Sequence, residues 1–208
     1  MTHIPFHHGI VVTSRWQVAD RHAQRAAADS AMARWNRLPW PEGCLSIACF
    51  LSTDGQLILF YTQWTDERHA MSFKGQDADD LEPGTTRLDT IVSRPADPPS
   101  SRSADGPFPG CVALITIATD DPDHQRQAAE SIAAIGAQAD PGAIGGHVLF
   151  SLDGTRVILY AEWTSEEAHR EAVAGAAFGG ERGIFDGRKG IQGLTMNRYQ
   201  PYRASTVH

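Results

Sequence analysis

Only three cysteines occur in 208 residues, Cys44, Cys49 and Cys111, and no two of them stand in a CxxC pair. The odd number and the spacing argue against a disulfide framework and against a structural zinc site, and they fit a reducing, cytoplasmic setting. Positive charge is scarce as well. Eighteen Lys and Arg face 25 Asp and Glu, a formal charge of −7, so there is no electrostatic basis for holding nucleic acid or an anionic lipid surface. No apolar run approaches the ~18 residues of a membrane helix. The opening MTHIPFHHGIVV lacks the basic stretch followed by an apolar segment that marks a secretory leader. Also missing are a GxGxxG following a strand, a P-loop, a nucleophile elbow and HExxH. Nucleotide binding and the common hydrolase mechanisms therefore have no foothold, and no metal site is expected.

What is present is a repeat. DGQLILFYTQWTDERHA, from Asp54, and DGTRVILYAEWTSEEAH, from Asp153, share Asp-Gly, an apolar run, Tyr, Trp and Thr. Asp54 and Asp153, Tyr61 and Tyr160, and Trp64 and Trp163 all differ by 99 (153 − 54 = 160 − 61 = 163 − 64), as do Gly43 and Gly142. Several identities at one offset indicate an internal duplication. With 41% hydrophobic residues, each copy has enough apolar material for a core.

Both copies read as β-α-β-β-α-β. First strands are expected near 9–18 and 111–119, the former alternating Ile10, Val12, Ser14 and Trp16 with Val11, Thr13, Arg15 and Gln17. Helices follow on Ala23, Ala27, Ala31, Trp35 and Leu38, and on Ala128, Ile132 and Ile135. Asp121 is placed to cap the second of these, with Pro122 at its first position. Hairpins turn at Asp54-Gly55 and Asp153-Gly154. Short helices are expected from Thr65 and Thr164, the latter opening on the capping box Thr164-Ser165-Glu166-Glu167. Closing strands are expected near 85–94 and 192–202. This order is ferredoxin-like, an antiparallel sheet with helices on one face. The expected division is an N-terminal unit at 1–95, a Pro/Ser-rich linker at 96–107 and a C-terminal unit at 108–208, with the two sheets packing as a barrel within one chain.

Strand alternation puts Ile58, Phe60, Thr62 and Trp64 on one face, and Val157, Leu159, Ala161 and Trp163 on the matching one. The aliphatic members suit a core. The two tryptophans suit either a core or a pocket wall, since an indole N–H needs an acceptor. His147, mid-strand in GAIGGHVLF, is either a hydrogen-bonded structural group or an acid/base. His169 lies on the helix after Trp163, and Arg87 and Arg198 lie on the closing strands. His3, His7 and His8 lack a carboxylate or thiol partner at ligand spacing. The Gly-rich stretch from Gly175 to Gly193 reads as a loop that could cover a pocket.

The paired FYTQWTDERHA and LYAEWTSEEAH segments, with WPEGCLS and ADPGAIGG before them, resemble the tandem antibiotic biosynthesis monooxygenase domains of the dimeric α/β barrel superfamily. The resemblance spans nearly the whole chain. It implies oxidation of an aromatic polyketide or similar polycyclic phenol, anthrone to quinone, with O₂ as co-substrate and no resident metal or prosthetic group. Reduced flavin is the alternative helper. Position by position, the resemblance makes His147, Trp163, His169 and Arg198 the candidate catalytic residues. It places Trp64, Phe60, Leu159 and Arg87 against the substrate. Phe60 and Leu159 stand where the family has Asn, a departure that leaves a polyketide cyclase or isomerase, or a small-molecule binding protein, as the alternative. A haem-degrading activity is not implied, because Lys74 and Val173 occupy the positions of its axial ligand. A small aromatic partner is expected, with nucleic acid and membrane excluded and a homodimer left open.

Overall fold

Two aspartates shape the two hairpins by the same chemistry. Asp54 Oδ1 accepts from Ser52 Oγ at 2.6 Å and from the Gln56 amide at 2.9 Å, and Gly55 behind it adopts φ 82°. Asp153 accepts from Ser151 Oγ at 2.6 Å and from the Thr155 amide at 3.0 Å, with Gly154 at φ 75°. A positive φ is free of steric cost only for glycine, which is why both turns read Asp-Gly.

The computed structural model of the chain describes residues 9–37, 39–76, 81–96, 107–136, 140–175 and 189–207. His3, His7 and His8, Leu38, most of the linker and the centre of the Gly-rich stretch lie outside the described residues, as does the Ile135 side chain. Twelve elements follow in order: β1 (Ile10–Gln17), α1 (Arg21–Arg37), β2 (Cys44–Ser52), β3 (Leu57–Trp64), α2 (Glu67–Gln76), β4 (Thr86–Pro95), β5 (Cys111–Thr119), α3 (Pro122–Gly136), β6 (Ala143–Ser151), β7 (Arg156–Trp163), α4 (Glu166–Ala174) and β8 (Ile191–Thr206). The chain divides into two units, residues 1–94 with 199–208, and residues 95–198. No helix among the described residues is long and apolar enough to cross a membrane.

In the first unit the strand order is β4-β1-β3-β2, with Tyr199–Thr206 of β8 beyond β2, and these pairings are antiparallel. The second unit orders β8-β5-β7-β6 in the same way, with β7 antiparallel to both neighbours. The expected ferredoxin-like order thus appears in both copies. The unit boundary differs from the expected one. At 16 residues β8 outruns a single sheet, so its Ser52↔Tyr199 to Ser46↔Thr206 register assigns the last segment to the first unit. Tyr202 and Arg203 fasten it there on Asp29 of α1, at 2.8 and 2.6 Å.

Each sheet carries its helices on one face. Ala27, Ala28, Ala31 and Met32 of α1 pack on Trp16, Ile47, Cys49, Leu51, Ile58 and Phe60. Ala128, Ala129 and Ile132 of α3 pack on Ile117 and Val157, with Ile115, Val148, Phe150 and Leu159 alongside. A buried glutamine pins each helix to its hairpin. Gln24 Nε2 donates to the Ser52 and Leu57 carbonyls at 3.1 and 2.7 Å, and Gln125 Nε2 to the Ser151 and Arg156 carbonyls at 3.1 and 2.7 Å. Asp121 caps α3 as expected, accepting from the Asp123 and His124 amides at 2.9 Å each. The second helices start later than expected. Asp66 accepts from the His69 amide at 3.1 Å, and Ser165 Oγ from Ala168 at 3.1 Å, so Thr65 and Thr164 precede the caps. The reason is geometric: a cap side chain reaches the amide three residues on, and the Thr65 and Thr164 amides are already bonded to the Gly43 and Gly142 carbonyls.

Candidate functional site

The face toward the helices and the opposite face of the second sheet each hold a polar cluster, and the candidate residues divide between them. Trp163 ends β7 on the helix face. Its described apolar neighbours are all small: Cys111, Ala113, Ala161, Ala168 and Ala172. His169 projects from α4 onto the same spot, with its ring edge-to-face on the Trp163 indole at 5.0 Å and 65°. Arg198 of β8 closes the group, its Nε donating to His169 Nδ1 at 2.8 Å.

That hydrogen bond fixes the state of His169. A guanidinium N–H can only donate, so Nδ1 must present a lone pair and the imidazole proton sits on Nε2. Burial, then the neighbouring Arg198 charge, holds the His169 pKa down to about 4 against a weaker opposing pull from Glu166. At neutral pH His169 is therefore a neutral N–H donor. A base at Nδ1 would have to give up its bond to a cation. Trp163 Nε1 is a second donor: the residue is 5% exposed, and the N–H finds no acceptor among the described residues. A buried unpaired N–H costs roughly 1–3 kcal/mol, so it calls for a reason. Two neutral donors beside a guanidinium form a set suited to an oxygen atom that carries or develops negative charge.

The first copy shows how the same position looks when closed. Trp64 is fully buried, its Nε1 donates to Thr62 Oγ1 at 2.8 Å, and Phe73 packs on its ring at 4.9 Å. At the offset of 99, Thr62 becomes Ala161, Phe73 becomes Ala172 and Ala70 becomes His169. Phe60 packs on Trp16 at 4.7 Å inside the core, and the Arg87 guanidinium lies 6.0 Å from the Trp16 ring. Leu159 packs against the α3 core. Within the second unit Leu159 thus stands apart from the Trp163 group, while Trp64, Phe60 and Arg87 belong to the first unit, in its hydrophobic core or beside it.

His147 also stands apart. On β6 it faces Tyr160 of β7, three residues from Trp163, and alternation turns it to the face without helices. There its ring stacks on Tyr160 at 4.7 Å and 18°, and the Tyr160 hydroxyl donates to Glu162 Oε1 at 3.4 Å. Burial lowers the His147 pKa to about 3. The structure brings together Trp163, His169 and Arg198, and it does not bring His147 to them.

Sequence reasoning passed over Tyr160 and Glu162 as chemical groups, although their i, i+2 spacing on one strand face was a usable signal. It also passed over Arg15 of β1, which pairs with Asp89 of β4 through Nε at 3.0 and 3.1 Å and through a second guanidinium nitrogen. Tyr199 lies beside this pair, fully buried, and burial raises its hydroxyl pKa. The cysteines are all buried, and burial pushes the Cys44 thiol up to about 12, so none is poised as a nucleophile. Among the described residues no three metal-ligating side chains cluster.

No family model matches the chain, and no curated protein matches it. Solved structures do. An anthrone oxidase-like protein superposes with a TM-score of 0.71 at 17% identity, over 95% of this chain and 93% of that one. A monooxygenase candidate from Fusobacterium nucleatum gives 0.61 at 10% identity, over 97% and 96%. A chlorite dismutase from Candidatus Nitrospira defluvii gives 0.57 at 14% identity, over 94% and 93%. At such identities the likeness is one of fold, and the same fold carries more than one reaction.

Proposed function

We propose that this chain is an oxygenase that oxidises a phenolic polycycle of the anthrone type, using the second-unit group of Trp163, His169 and Arg198. The observation that carries the reading is the 2.8 Å bond from Arg198 to His169 beside a Trp163 N–H without an acceptor among the described residues, because it puts two neutral N–H donors next to a guanidinium, whose charge outweighs that of Glu166 at His169. The anthrone oxidase-like neighbour supports the same reading through its fold.

A phenol entering such a field loses its proton more easily, since nearby positive charge favours the anion. The phenol concerned is the enol tautomer of the anthrone, whose anion delocalises charge onto the ring carbon that will be oxidised. That carbon reduces O₂ and binds it as a hydroperoxide, and loss of water leaves a carbonyl: one CH₂ and one O₂ become one C=O and one H₂O. Throughout, negative charge resides on oxygen, where Trp163 Nε1, His169 Nε2 and the Arg198 guanidinium can hold it. In this scheme no resident metal or prosthetic group takes part. The proton passes to solvent water, and the positive environment, by favouring the anion, stands in for the histidine base that the family resemblance assigns.

Oxygen uptake with a dihydroxyanthrone, without added metal or flavin, tests the reading. His169→Ala should lower kcat/KM by about a hundredfold. Unchanged anthrone under air, with and without reduced flavin, defeats it. Label from ¹⁸O₂ that fails to enter the product would indicate a cyclase or isomerase instead.

A further inference from the structure

The repeat supplies an internal comparison that bears on how many ligands the chain holds. We propose that Phe73 seals the first unit's counterpart of the Trp163 site with the chain's own aromatic rings, so that each chain has one ligand site, whose depth is set by Ala172. This rests on the Trp163 group being a binding site, and extends it to stoichiometry and size selection.

The two positions are equivalent by three independent measures. Trp64 and Trp163 end matching strands, paired to Ile10 and to Cys111 at the same place in the register. The helices that follow start at Glu67 and Glu166, again 99 apart. The Thr65 and Thr164 amides bond to Gly43 and Gly142 at 2.8 and 2.9 Å. Differences in side chains at this place are therefore differences in what fills one and the same space.

In the first unit that space is full. Phe73 lies 4.9 Å from Trp64 and 5.6 Å from Trp35, and Trp35 meets Trp40 edge-to-face at 5.7 Å. These tilted and edge-to-face rings form a continuous aromatic layer over the buried Trp64, an arrangement aromatic pairs favour. Thr62 meanwhile satisfies the Trp64 N–H, so a ligand admitted here would be held by the apolar walls alone, and more weakly. In the second unit the phenyl ring is replaced by the methyl of Ala172, the acceptor hydroxyl by the methyl of Ala161, and the methyl of Ala70 by the His169 imidazole. Two of the exchanges withdraw bulk and one of them also frees the Trp163 N–H, while the third adds a polar ring that takes back part of the volume. The balance is a net loss of volume, which a drifting close-packed core would not favour. Net loss of bulk together with gained donors fits a place that an aromatic ligand with an oxygen substituent enters.

Anilinonaphthalene sulfonate, an aromatic anion, is the probe. Titrated against the full chain, with binding read by dye fluorescence and by energy transfer from tryptophan, it should saturate at one per chain. Ala172→Phe should weaken it by about tenfold or more, whereas Phe73→Ala should raise the count to two. Phe73→Val accompanies it, retaining part of the packing should the alanine variant fail to fold cooperatively. Two sites in the unaltered chain, no binding to it, an Ala172→Phe variant of unchanged affinity, or folded Phe73 variants that still bind one dye would each overturn the proposal. Should neither Phe73 variant fold, the Ala172→Phe result decides alone. Dye behaviour as expected together with unoxidised anthrone would leave this inference standing and defeat the oxygenase reading.

Discussion

Ala161→Thr should stabilise the second unit and impair its site at the same time. In the first unit Thr62 Oγ1 receives the Trp64 N–H at 2.8 Å, and the register places Ala161 in the identical relation to Trp163. The unpaired N–H costs roughly 1–3 kcal/mol, and a hydroxyl acceptor recovers part of this, for a net gain of about 1 kcal/mol after the strain of one added methyl. In a chain of this size that is a rise of about 2–4 °C in Tm. Urea unfolding should show a higher midpoint at unchanged slope. A ligand oxygen that had used the same N–H now competes with the threonine, so KM for the anthrone should rise by about tenfold. The reciprocal Thr62→Ala should destabilise the first unit and leave KM alone. A stability gain without a change in KM would mean that the Trp163 N–H does not meet substrate. An Ala161→Thr variant no more stable than the unaltered chain would refute the reasoning altogether.

Acid should unfold the protein through its two buried histidines. Both have folded pKa values below the ordinary 6.5, about 3 for His147 and about 4 for His169, so the unfolded chain takes up more protons. Their contribution is complete above about pH 6.5 and is lost as the pH falls, by about 4 kcal/mol in total near pH 5. His147→Phe, which preserves the stack on Tyr160, should flatten that limb in denaturation curves recorded from pH 7 to 4. An unchanged slope would contradict it. Arg198→Gln should raise the His169 pKa, followed by NMR titration of the ring, and raise KM by about tenfold. Gln125→Ala, which strips the links between α3 and the Ser151 and Arg156 carbonyls, should cost about 2–3 kcal/mol in chemical unfolding without touching KM.

The β-α-β-β-α-β order and the turn chemistry were legible because they depend on neighbours in the chain. Asp54-Gly55 and Asp153-Gly154 make turns through bonds spanning two residues, and Asp121 caps its helix through bonds spanning two and three. Alternation likewise put Phe60 and Leu159 on the faces that bear Trp64 and Trp163. Alternation fixes only which residues share a face, however. It does not say which face the helices cover, and the family resemblance that grouped His147 with Trp163 does not say so either, although one sheet lies between them.

The sequence by itself determined the scaffold: two copies, their elements, and the tryptophans at the strand ends. The tertiary structure alone decided the surroundings of the candidate groups. It joined Arg198 to His169 across 29 positions and thereby assigned the imidazole as a donor. It also showed that one indole N–H is met by Thr62 while the other, beside Ala161, has no acceptor among the described residues. The physical reason is that secondary structure is set by local propensity and periodicity, whereas protonation states and hydrogen-bond debts depend on burial and on groups brought together from distant parts of the chain.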